Sequence, residues 1–314
     1  MTGIPYSFEL FPPRDDAAAA RMLRTVDAIA QLEPEFVSVT FGAGGTSSRH
    51  SLSVLQRLLD AGVPPMAHLT CTGLGIDETA RLVRQFLDAG ITRFLALRGD
   101  PPIAGTPEPP TSLRSASELV QLIERVDAER VPYAEVPLPG LRASALAERR
   151  GVAQVAVAAF PNGHPGAGVH RGDVDALLAK QEVGASLAIT QLFFDPYDYA
   201  RYVELARARG VTIPILPGIV IPTSHRRLVR SAELAGEGLP TVLADRLQGA
   251  DREDAVRIGI DAAVALIEEL IDLGAPGAHL YTFNDHRPAV DVLRAVGALA
   301  PIPAHAGHTT TGAS

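Results

Sequence analysis

The stretch Tyr6-Ser-Phe-Glu-Leu-Phe-Pro-Pro-Arg14 decides between the two fold classes that the rest of the chain allows. Its apolar and aromatic residues predict a short buried strand. Pro12 and Pro13 end that strand, because proline cannot donate a ladder hydrogen bond. Glu9 is the one carboxylate inside the apolar run, and an ionised, unpaired carboxylate is costly to bury. Glu9 is therefore expected to be protonated, paired or used in chemistry, unless it turns toward solvent or an arginine.

The same unit, an apolar strand followed by a helix, recurs along the chain. Hydrophobic periodicity predicts further strands at 36–42, 66–72, 93–100, 152–160, 187–194, 213–219 and 278–283. Helices are predicted at 15–31, after 45, and at 76–89, 116–126, 174–183 and 197–209, with two or three more after 224 and a last one that Asn284 caps and Pro288 helps to start. Residues 131–150 interrupt this rhythm and predict an inserted hairpin followed by a short helix.

Eight strands that alternate with helices predict an α/β fold, a single-domain (β/α)8 TIM barrel over residues 1–300. It carries the insertion before strand 5 and extra helices before strand 8. The rival is an open doubly wound sheet, which would normally show a glycine fingerprint after strand 1, where this chain has Phe11-Pro12-Pro13. Residues 301–314 are small and polar, and we expect a flexible tail.

Composition excludes several functional classes. A net charge of -8 without a basic block argues against nucleic-acid binding. No apolar run is long enough to span a bilayer, which makes a cytoplasmic protein without membrane contact the expectation. The single cysteine, Cys71, excludes an internal disulfide, and no ligand spacing suggests a metal site. Lys180 is the only lysine in an arginine-rich chain.

Polar residues interrupt the apolar strands near their carboxyl ends, where TIM barrels carry their chemistry. Each of them alone has an ordinary structural explanation, such as a satisfied core histidine at His68 or an Arg98–Asp100 ion pair. Together they predict one shared cleft suited to a large, flat, anionic ligand. The residues are Glu9, Thr40, His68, Thr70, Arg98, Asp100, Gln191, Tyr281 and Asn284.

Eight segments in order resemble the methylenetetrahydrofolate reductases of bacteria, in the form that has the catalytic barrel only. They run from residue 6 to about residue 299 and so cover nearly the whole chain. They are Ser7-Phe-Glu-Leu-Phe-Pro-Pro-Arg14, Phe36-Val-Ser-Val-Thr-Phe-Gly-Ala43, His68-Leu-Thr70, Leu97-Arg-Gly-Asp-Pro-Pro102, Ala159-Phe-Pro-Asn-Gly-His-Pro165, Ile189-Thr-Gln-Leu-Phe-Phe194, Leu216-Pro-Gly-Ile219 and Tyr281-Thr-Phe-Asn284.

The resemblance implies a barrel that binds FAD, oxidises NADH or NADPH and reduces 5,10-methylenetetrahydrofolate to 5-methyltetrahydrofolate in a ping-pong scheme, supplying methyl groups for methionine synthesis. It implies Glu9 as the catalytic acid, Asp100 as the aspartate near the flavin and the pterin, and Gln191, His225 and Tyr281 as substrate contacts. It also implies FAD contacts at Thr40, Phe41, His68, Arg98, Gly99, Asp100, Ala116, Phe160, His164, Ala167, Asp173 and Lys180. Barrels of this family commonly assemble, so a homo-oligomer is a further expectation.

Several positions depart from the family pattern. Phe160 stands where some relatives have tyrosine, and Ala176 and Ala179 replace polar or basic residues that assist FAD in some relatives. Asp285 stands where one branch has an arginine for the folate tail, which leaves Arg287 as the candidate for that contact.

The expected mechanism uses two carboxylates in different protonation states. Glu9 donates the proton that opens the folate's five-membered ring, and desolvation by Phe8, Leu10 and Phe11 favours its neutral form if they line the same pocket. Asp100 stabilises the developing cation. Two alternatives stay open: a flavin-independent reductase with direct hydride transfer from NADH, and a non-redox pterin-binding barrel.

Overall fold

The computed structural model describes residues 4–13, 15–40, 46–99, 109, 111–130, 133–138, 141–146, 153–163 and 171–299. Its strands are β1 (Tyr6–Leu10), β2 (Val37–Val39), β3 (Pro65–Thr70), β4 (Arg93–Leu97), β5 (Tyr133–Leu138), β6 (Leu141–Leu146), β7 (Gln154–Ala159), β8 (Ala185–Thr190), β9 (Ile215–Leu216), β10 (Gly218–Val220) and β11 (Ala278–Tyr281). The predicted tail at 301–314 lies outside the described residues.

Helices follow the strands in alternation, as the sequence predicts. They are α1 (Asp16–Ala30), α2 (Thr46–Asp60), α3 (Ile76–Asp88), α4 (Ala116–Ala128), α5 (Arg171–Glu182), α6 (Pro196–Ala208), α7 (His225–Ala235), α8 (Thr241–Gln248), α9 (Arg252–Asp272) and α10 (Arg287–Ala295). Three of them, α7 to α9, are the predicted extra helices between the last two barrel strands. No helix among the described residues is long and apolar enough to cross a membrane.

Polar side chains start many of these helices by accepting a hydrogen bond from a backbone N–H of the first turn. This capping satisfies a donor that has no partner within the helix. At α6 the cap is followed by Pro196, whose missing N–H costs nothing at a helix start. The capping residues are Asp15, Ser115, Asp195, Ser224 and Asp251.

The large sheet has parallel pairing throughout and the strand order β10-β11-β1-β2-β3-β4-β7-β8-β9. Its two end strands, β9 and β10, are consecutive in the chain and separated only by Pro217. They are two halves of one barrel strand: β9 pairs with β8, and β10 pairs with β11. The sheet therefore closes as an eight-stranded (β/α)8 barrel, which confirms the predicted fold class. The predicted continuous strand at 213–219 is wrong in one respect, since Pro217 divides it.

The 131–150 segment contributes an antiparallel hairpin, in which β5 pairs with β6 from Tyr133↔Leu146 to Leu138↔Leu141. It lies between α4 and the fifth barrel strand, β7. The short helix predicted to follow it falls partly on residues 147–152, outside the described residues.

Two apolar layers hold the barrel together. The outer layer packs strand residues such as Phe8 and Leu10 against helix residues such as Val26 and Leu55. The inner layer fills the barrel itself from six strand and pre-strand positions, Phe36, Met66, Leu95, Ala156, Ile189 and Leu216. Since side chains alternate across a strand, Ser7 and Glu9 face the barrel interior when Phe8 and Leu10 face the helices.

Candidate active site

Glu9 lies near the carboxyl end of β1 with its side chain in the barrel interior, where only 9% of the residue is exposed. Two imidazoles converge on one of its oxygens. The Nε2 atom of His68, on β3, is 3.7 Å from Glu9 Oε2, and the Nε2 atom of His279, on β11, is 3.9 Å from the same oxygen. Both histidines are buried. Strands 1, 3 and 8 of the barrel thus bring three ionisable groups into one buried cluster.

Burial controls the protonation of the groups around Glu9. Desolvation lowers the pKa of His68, although the nearby Glu9 carboxylate opposes the shift. Burial also raises the pKa of the Tyr281 phenol well above its usual range, and the charge of Glu9 adds to that rise. His68 is therefore a neutral imidazole at neutral pH, and Tyr281 is a neutral phenol.

The apolar neighbours of Glu9 in sequence do not share its side of β1. Phe8 and Leu10 are fully buried in the outer layer against the helices. The prediction that these two residues desolvate Glu9 is wrong, because alternation along β1 turns them to the opposite face. The groups that approach the Glu9 side chain in the barrel interior are His68 and His279.

Phe11 follows β1 at the mouth of the barrel. Its backbone is held by Asn284, which the sequence predicts to be a helix cap. Asn284 Oδ1 accepts a hydrogen bond from the Phe11 backbone N–H at 2.8 Å, and Asn284 Nδ2 donates to the Phe11 carbonyl at 3.0 Å. The Phe11 ring stacks on Phe283 with centroids 6.0 Å apart. Phe283 and Asn284 both have positive φ, 47° and 65°, so the backbone turns sharply here. Predicting Asn284 as a helix cap was wrong: the α10 N-cap is His286, while Pro288 lies in the first turn as expected.

Thr190 ties the last three barrel strands together beneath the predicted substrate contacts. Its carbonyl accepts a hydrogen bond from the Tyr281 hydroxyl at 2.9 Å, and its Oγ1 accepts one from Gly218 N–H at 2.9 Å. The strand crossing is tight: a Cβ on Gly218 would lie 2.3 Å from the Thr190 carbonyl oxygen. The Tyr281 hydroxyl proton is consequently committed to Thr190, and this hydroxyl is left to act toward a ligand as an acceptor.

Gln191, directly after β8, is oriented by its own neighbour. Its Oε1 accepts a hydrogen bond from the Leu192 backbone N–H at 2.9 Å, which leaves the amide Nε2 as a donor for a ligand. His225 is half-buried and is the first residue of α7, the helix that follows β10. Neither residue contacts the Glu9 cluster through a described hydrogen bond or ion pair.

Several predicted cofactor contacts have polar atoms that lack partners. Thr40 Oγ1 and His68 Nε2 are buried and make no hydrogen bond with the described residues. Gly99, after β4, has φ +84°, and a Cβ there would lie 2.4 Å from Thr72 Oγ1, so only glycine fits. Ala116 is buried at the start of α4. Thr40 follows β2, His68 lies on β3 and Gly99 follows β4, so these groups come from three neighbouring strands.

Lys180, on α5, donates a hydrogen bond to the Ala158 carbonyl of β7 at 2.9 Å. Burial lowers its pKa to about 8, and the charge of Asp173, one of the other predicted contacts, opposes that shift. Phe160 follows β7 in the same region. A partly desolvated ammonium gains more than an exposed one from an anion, so these residues fit the phosphates of a cofactor such as FAD.

Four predicted site residues, Phe41, Asp100, His164 and Ala167, lie outside the described residues. Arg98 is exposed, and the partner predicted for its ion pair, Asp100, is one of these four residues. Arg287 is held by two hydrogen bonds to Asp285, from Nε at 2.8 Å and from Nη2 at 2.9 Å. Among the described residues, His, Cys, Asp and Glu side chains form no group of three or more that could hold a metal ion.

Sequence reasoning missed His279, Ser7 and Thr190. His279 has the clearest signal: it stands two residues before Tyr281, so both side chains lie on the same face of β11. Ser7 has the same relation to Glu9 on β1. Two polar residues with a spacing of two in a buried strand indicate an interior polar face, and both pairs can be read directly from the sequence.

Comparison with known proteins identifies the family and the fold of the chain. The sequence profile of the family described as "Methylenetetrahydrofolate reductase" matches residues 2–297. The chain is 30% identical to the 5,10-methylenetetrahydrofolate reductase of Escherichia coli over 286 residues, covering 90% of this chain and 86% of the relative. It is 28% identical to methylenetetrahydrofolate reductase (NADH) 1 of Zea mays, covering 93% of this chain and 48% of that protein. A structure from Clostridium thermocellum, of a protein that binds two copies of 5-methyl-5,6,7,8-tetrahydrofolic acid, has the same fold, with a TM-score of 0.61, 12% identity and 94% of each chain covered.

Proposed function

The chain belongs to the methylenetetrahydrofolate reductase family, and we propose that it reduces 5,10-methylenetetrahydrofolate to 5-methyltetrahydrofolate with NADH or NADPH. One observation supports the assignment of Glu9 as the acid: its carboxyl is buried near the carboxyl end of β1. The Nε2 atoms of His68 and His279 lie 3.7 Å and 3.9 Å from its Oε2 atom. The product would supply methyl groups for methionine synthesis. A cytoplasmic location, a homo-oligomer and the division into residues 1–300 and 301–314 stay predictions.

Glu9 is the proton donor in this proposal. Reduction requires the five-membered ring of the folate to open. Protonation of one of the two nitrogens that flank the methylene carbon lets its bond to that carbon break, and the lone pair of the other nitrogen then makes the methylene an iminium that accepts hydride. A carboxyl group placed in the barrel interior, at the carboxyl end of a strand, is suited to that task, since general acid catalysis requires a positioned donor. Neutral His68 adds no positive charge that would hold the carboxyl ionised before the proton is delivered.

Tyr281 and Gln191 orient the substrate. The Tyr281 hydroxyl donates to Thr190, so it meets a folate donor through its lone pairs. The Gln191 amide, with its oxygen on Leu192 N–H, offers its NH₂ group to a folate acceptor. A donor and an acceptor in fixed positions are what a pterin edge requires. Asp100 keeps its proposed role as the carboxylate that stabilises the developing cation.

FAD is the proposed cofactor, and the residues described here fit it. Thr40 Oγ1 and His68 Nε2 are buried polar atoms without hydrogen-bond partners among the described residues, and Lys180 supplies a cation. When bound, FAD would supply a two-electron carrier between the nicotinamide and the folate, with ping-pong kinetics as the consequence. The maize relative carries NADH in its name, which supports a nicotinamide donor here.

A flavin-independent reductase is the second candidate, favoured by one observation. Ala176 and Ala179 are exposed on α5, near Lys180, and offer no polar group to a phosphate. The visible spectrum of the purified protein separates the two. A yellow protein whose flavin absorbance is bleached by NADH supports FAD. A colourless protein that oxidises NADH only when folate is present supports direct transfer.

The proposed reaction itself is tested by incubating the purified protein without oxygen with 5,10-methylenetetrahydrofolate and either NADH or NADPH. Mass spectrometry is expected to detect 5-methyltetrahydrofolate in amounts that match the nucleotide oxidised. The nucleotide that gives the higher kcat/KM identifies the donor. If neither nucleotide yields the methylated product, with or without added FAD, the proposed function is wrong.

A further inference from the structure

Asn162 joins three segments that follow the barrel strands β7, β8 and β10. It lies in the turn after β7, and its Nδ2 atom donates two hydrogen bonds, each 2.8 Å long. One goes to Asp198 Oδ2, in the first turn of α6, and the other to Glu237 Oε2, just after α7. Ionised carboxylates only accept hydrogen bonds, so these partners identify the nitrogen end of the amide. Both hydrogens of one amide are therefore used by two carboxylates.

The turn that carries Asn162 also carries Phe160. Gly163 N–H donates to the Phe160 carbonyl at 3.0 Å, which closes a four-residue turn with Pro161 at its second position and Gly163, φ +81°, at its fourth. Such a turn has few conformations, because proline fixes its own φ. The position of Asn162 therefore sets the position of Phe160, one of the FAD contacts that the family resemblance implies.

Glu237 is fixed to the end of α7 by a glycine-terminated cap. Gly236 has φ +71°, and the Glu237 N–H donates to the Ala232 carbonyl at 2.9 Å. This is the Schellman arrangement, in which the residue after the glycine is tied back to the last turn of the helix. The hydrogen bond from Asn162 to the Glu237 side chain consequently holds the last turn of α7.

Helix α7 connects the predicted substrate contacts to this turn. Its 11 residues make a rod about 16 Å long, which begins with His225 after β10. Its last residue, Ala235, packs in one apolar cluster with Leu192, which follows β8, and with Val220 of β10. The helix thus starts after β10, passes the segment after β8 and reaches the turn after β7 through Glu237.

The amide of Asn162 separates two carboxylates that would otherwise face each other. Burial raises the pKa of Glu237, the hydrogen bond from Asn162 opposes that rise, and the charge of Asp198 adds to it. Asp198 has a second partner, since Arg201 pairs with its Oδ1 atom. Among the described residues, Asn162 is the one hydrogen-bond donor to the Glu237 side chain. Without the amide, the two like charges would repel the end of α7 from α6.

We infer that Asn162 is a positioning residue that fastens the turn carrying Phe160 to α6 and α7, and that this link is needed to retain the cofactor. The inference rests on the proposed function, in which Phe160 belongs to the FAD site. A loosened turn is in its binding-competent position only part of the time, and the apparent affinity for a ligand falls by that fraction.

Three proteins test the link. Asn162→Asp keeps the shape of the side chain and replaces both donors by an oxygen that faces two other carboxylates. The triple variant Asn162→Asp, Asp198→Asn and Glu237→Gln exchanges donors and acceptors, so both hydrogen bonds can form again. Asp127→Ala is the matched control, because Asp127 Oδ2 accepts a hydrogen bond from the Ala153 N–H at 2.9 Å and so anchors the opposite end of β7.

The readout is the Kd for FAD of each purified protein, measured by the quenching of flavin fluorescence. We expect Asn162→Asp to raise this Kd roughly tenfold or more and the triple variant to return to within about threefold of the parent. Hydrogen–deuterium exchange of the amides at 232–238 should be faster in Asn162→Asp than in the parent. Asp127→Ala should lower the melting temperature while its Kd for FAD matches that of the parent.

Parent-like FAD affinity or parent-like exchange in folded Asn162→Asp would overturn the inference, as would a folded triple variant that does not recover. An equal loss of FAD affinity in Asp127→Ala would also overturn it, since the effect would then be one of general stability. If Asn162→Asp does not fold, Glu237→Ala replaces it: its Kd for FAD should rise several-fold, and a parent-like Kd would contradict the link. Failure of the proposed cofactor is visible separately, because the unsubstituted protein would then bind no FAD.

Discussion

Oε2 of Glu9 lies 3.7 Å from Nε2 of His68, and that nitrogen has no hydrogen-bond partner among the described residues. The two side chains come from the first and third strands of the barrel and meet in its interior. An acid and a neutral base held near each other without a hydrogen bond leave both available to ligands.

His68 should make the protein more sensitive to acid. Its pKa is lowered by burial, so below about 6.5 the unfolded chain takes up a proton at His68 that the folded protein refuses. Its contribution to stability is complete above pH 6.5 and is lost as pH falls below that value. Urea unfolding at pH 7.5 and at pH 5.5 should show the parent losing more stability on acidification than His68→Gln. An equal loss in both proteins would contradict the burial of a neutral His68.

Lys180 should show a dependence of the same sign at alkaline pH: its contribution to stability also rises with pH. Its pKa is lowered to about 8 in the folded protein, against 10.5 for an unburied lysine. Between these two values the unfolded chain binds the proton more tightly, so the contribution of Lys180 to stability rises with pH. Below about pH 8 both states are protonated and the cost of burial is present in full.

Lys180→Met isolates this effect. The difference in unfolding free energy, parent minus variant, should increase as pH is raised from 8 to 10.5. The other titrating groups contribute equally in both proteins, so their effects cancel in this difference. Urea titrations at closely spaced pH values measure it. A difference that stays constant or falls would show that Lys180 is not desolvated by its position against Ala158.

Asn284→Ala should destabilise the protein by about 1–3 kcal/mol, since two backbone groups of Phe11 lose their partner. Asn284→Asp is the matched variant: it keeps the acceptor for the Phe11 N–H and loses only the donor to the Phe11 carbonyl. Chemical unfolding should rank the parent above Asn284→Asp and that variant above Asn284→Ala. Equal stability of all three proteins would mean that Asn284 does not clamp the two loops.

Gly218→Ala should be strongly destabilising, at about 2–4 kcal/mol, because a Cβ would lie 2.3 Å from the Thr190 carbonyl oxygen and 2.8 Å from the Tyr281 ring. The displaced Tyr281 should also raise KM for folate. Gly249→Ala is the control, as nothing lies within 4 Å of its added Cβ. Thermal unfolding of the two variants, with the parent alongside, checks the contrast. A Gly218→Ala protein as stable as Gly249→Ala would contradict the close strand crossing.

The barrel was predictable because its strands are nearly continuous apolar runs, and Glu9 stood out as an exception to such a run. The direction in which each side chain points was harder to predict. Phe8 and Leu10 are adjacent to Glu9 in sequence but lie on the other face of β1, so closeness along the chain misidentified its apolar surroundings. Pro217 could be seen in the sequence, yet whether it ends a strand or only divides one depends on the partners of β9 and β10.

Asn284 shows why some functions of a residue cannot be deduced locally. An asparagine shortly before a proline-started helix reads as a cap, whereas its amide here binds Phe11, 273 positions away. Such a long-range contact depends on the closure of the barrel. His279 was a different case, since its spacing of two from Tyr281 would have placed both residues on the interior face.

The substitution Glu9→Gln tests the central claim most directly. The amide keeps the shape of the side chain and cannot donate a carboxylic proton, so NADH oxidation with an artificial electron acceptor should continue at nearly the parent rate. Reduction of 5,10-methylenetetrahydrofolate in the same preparation should fall by about a hundredfold to ten-thousandfold, the usual contribution of a positioned acid. Folate reduction by Glu9→Gln at a rate comparable to the parent would remove Glu9 from the role of proton donor.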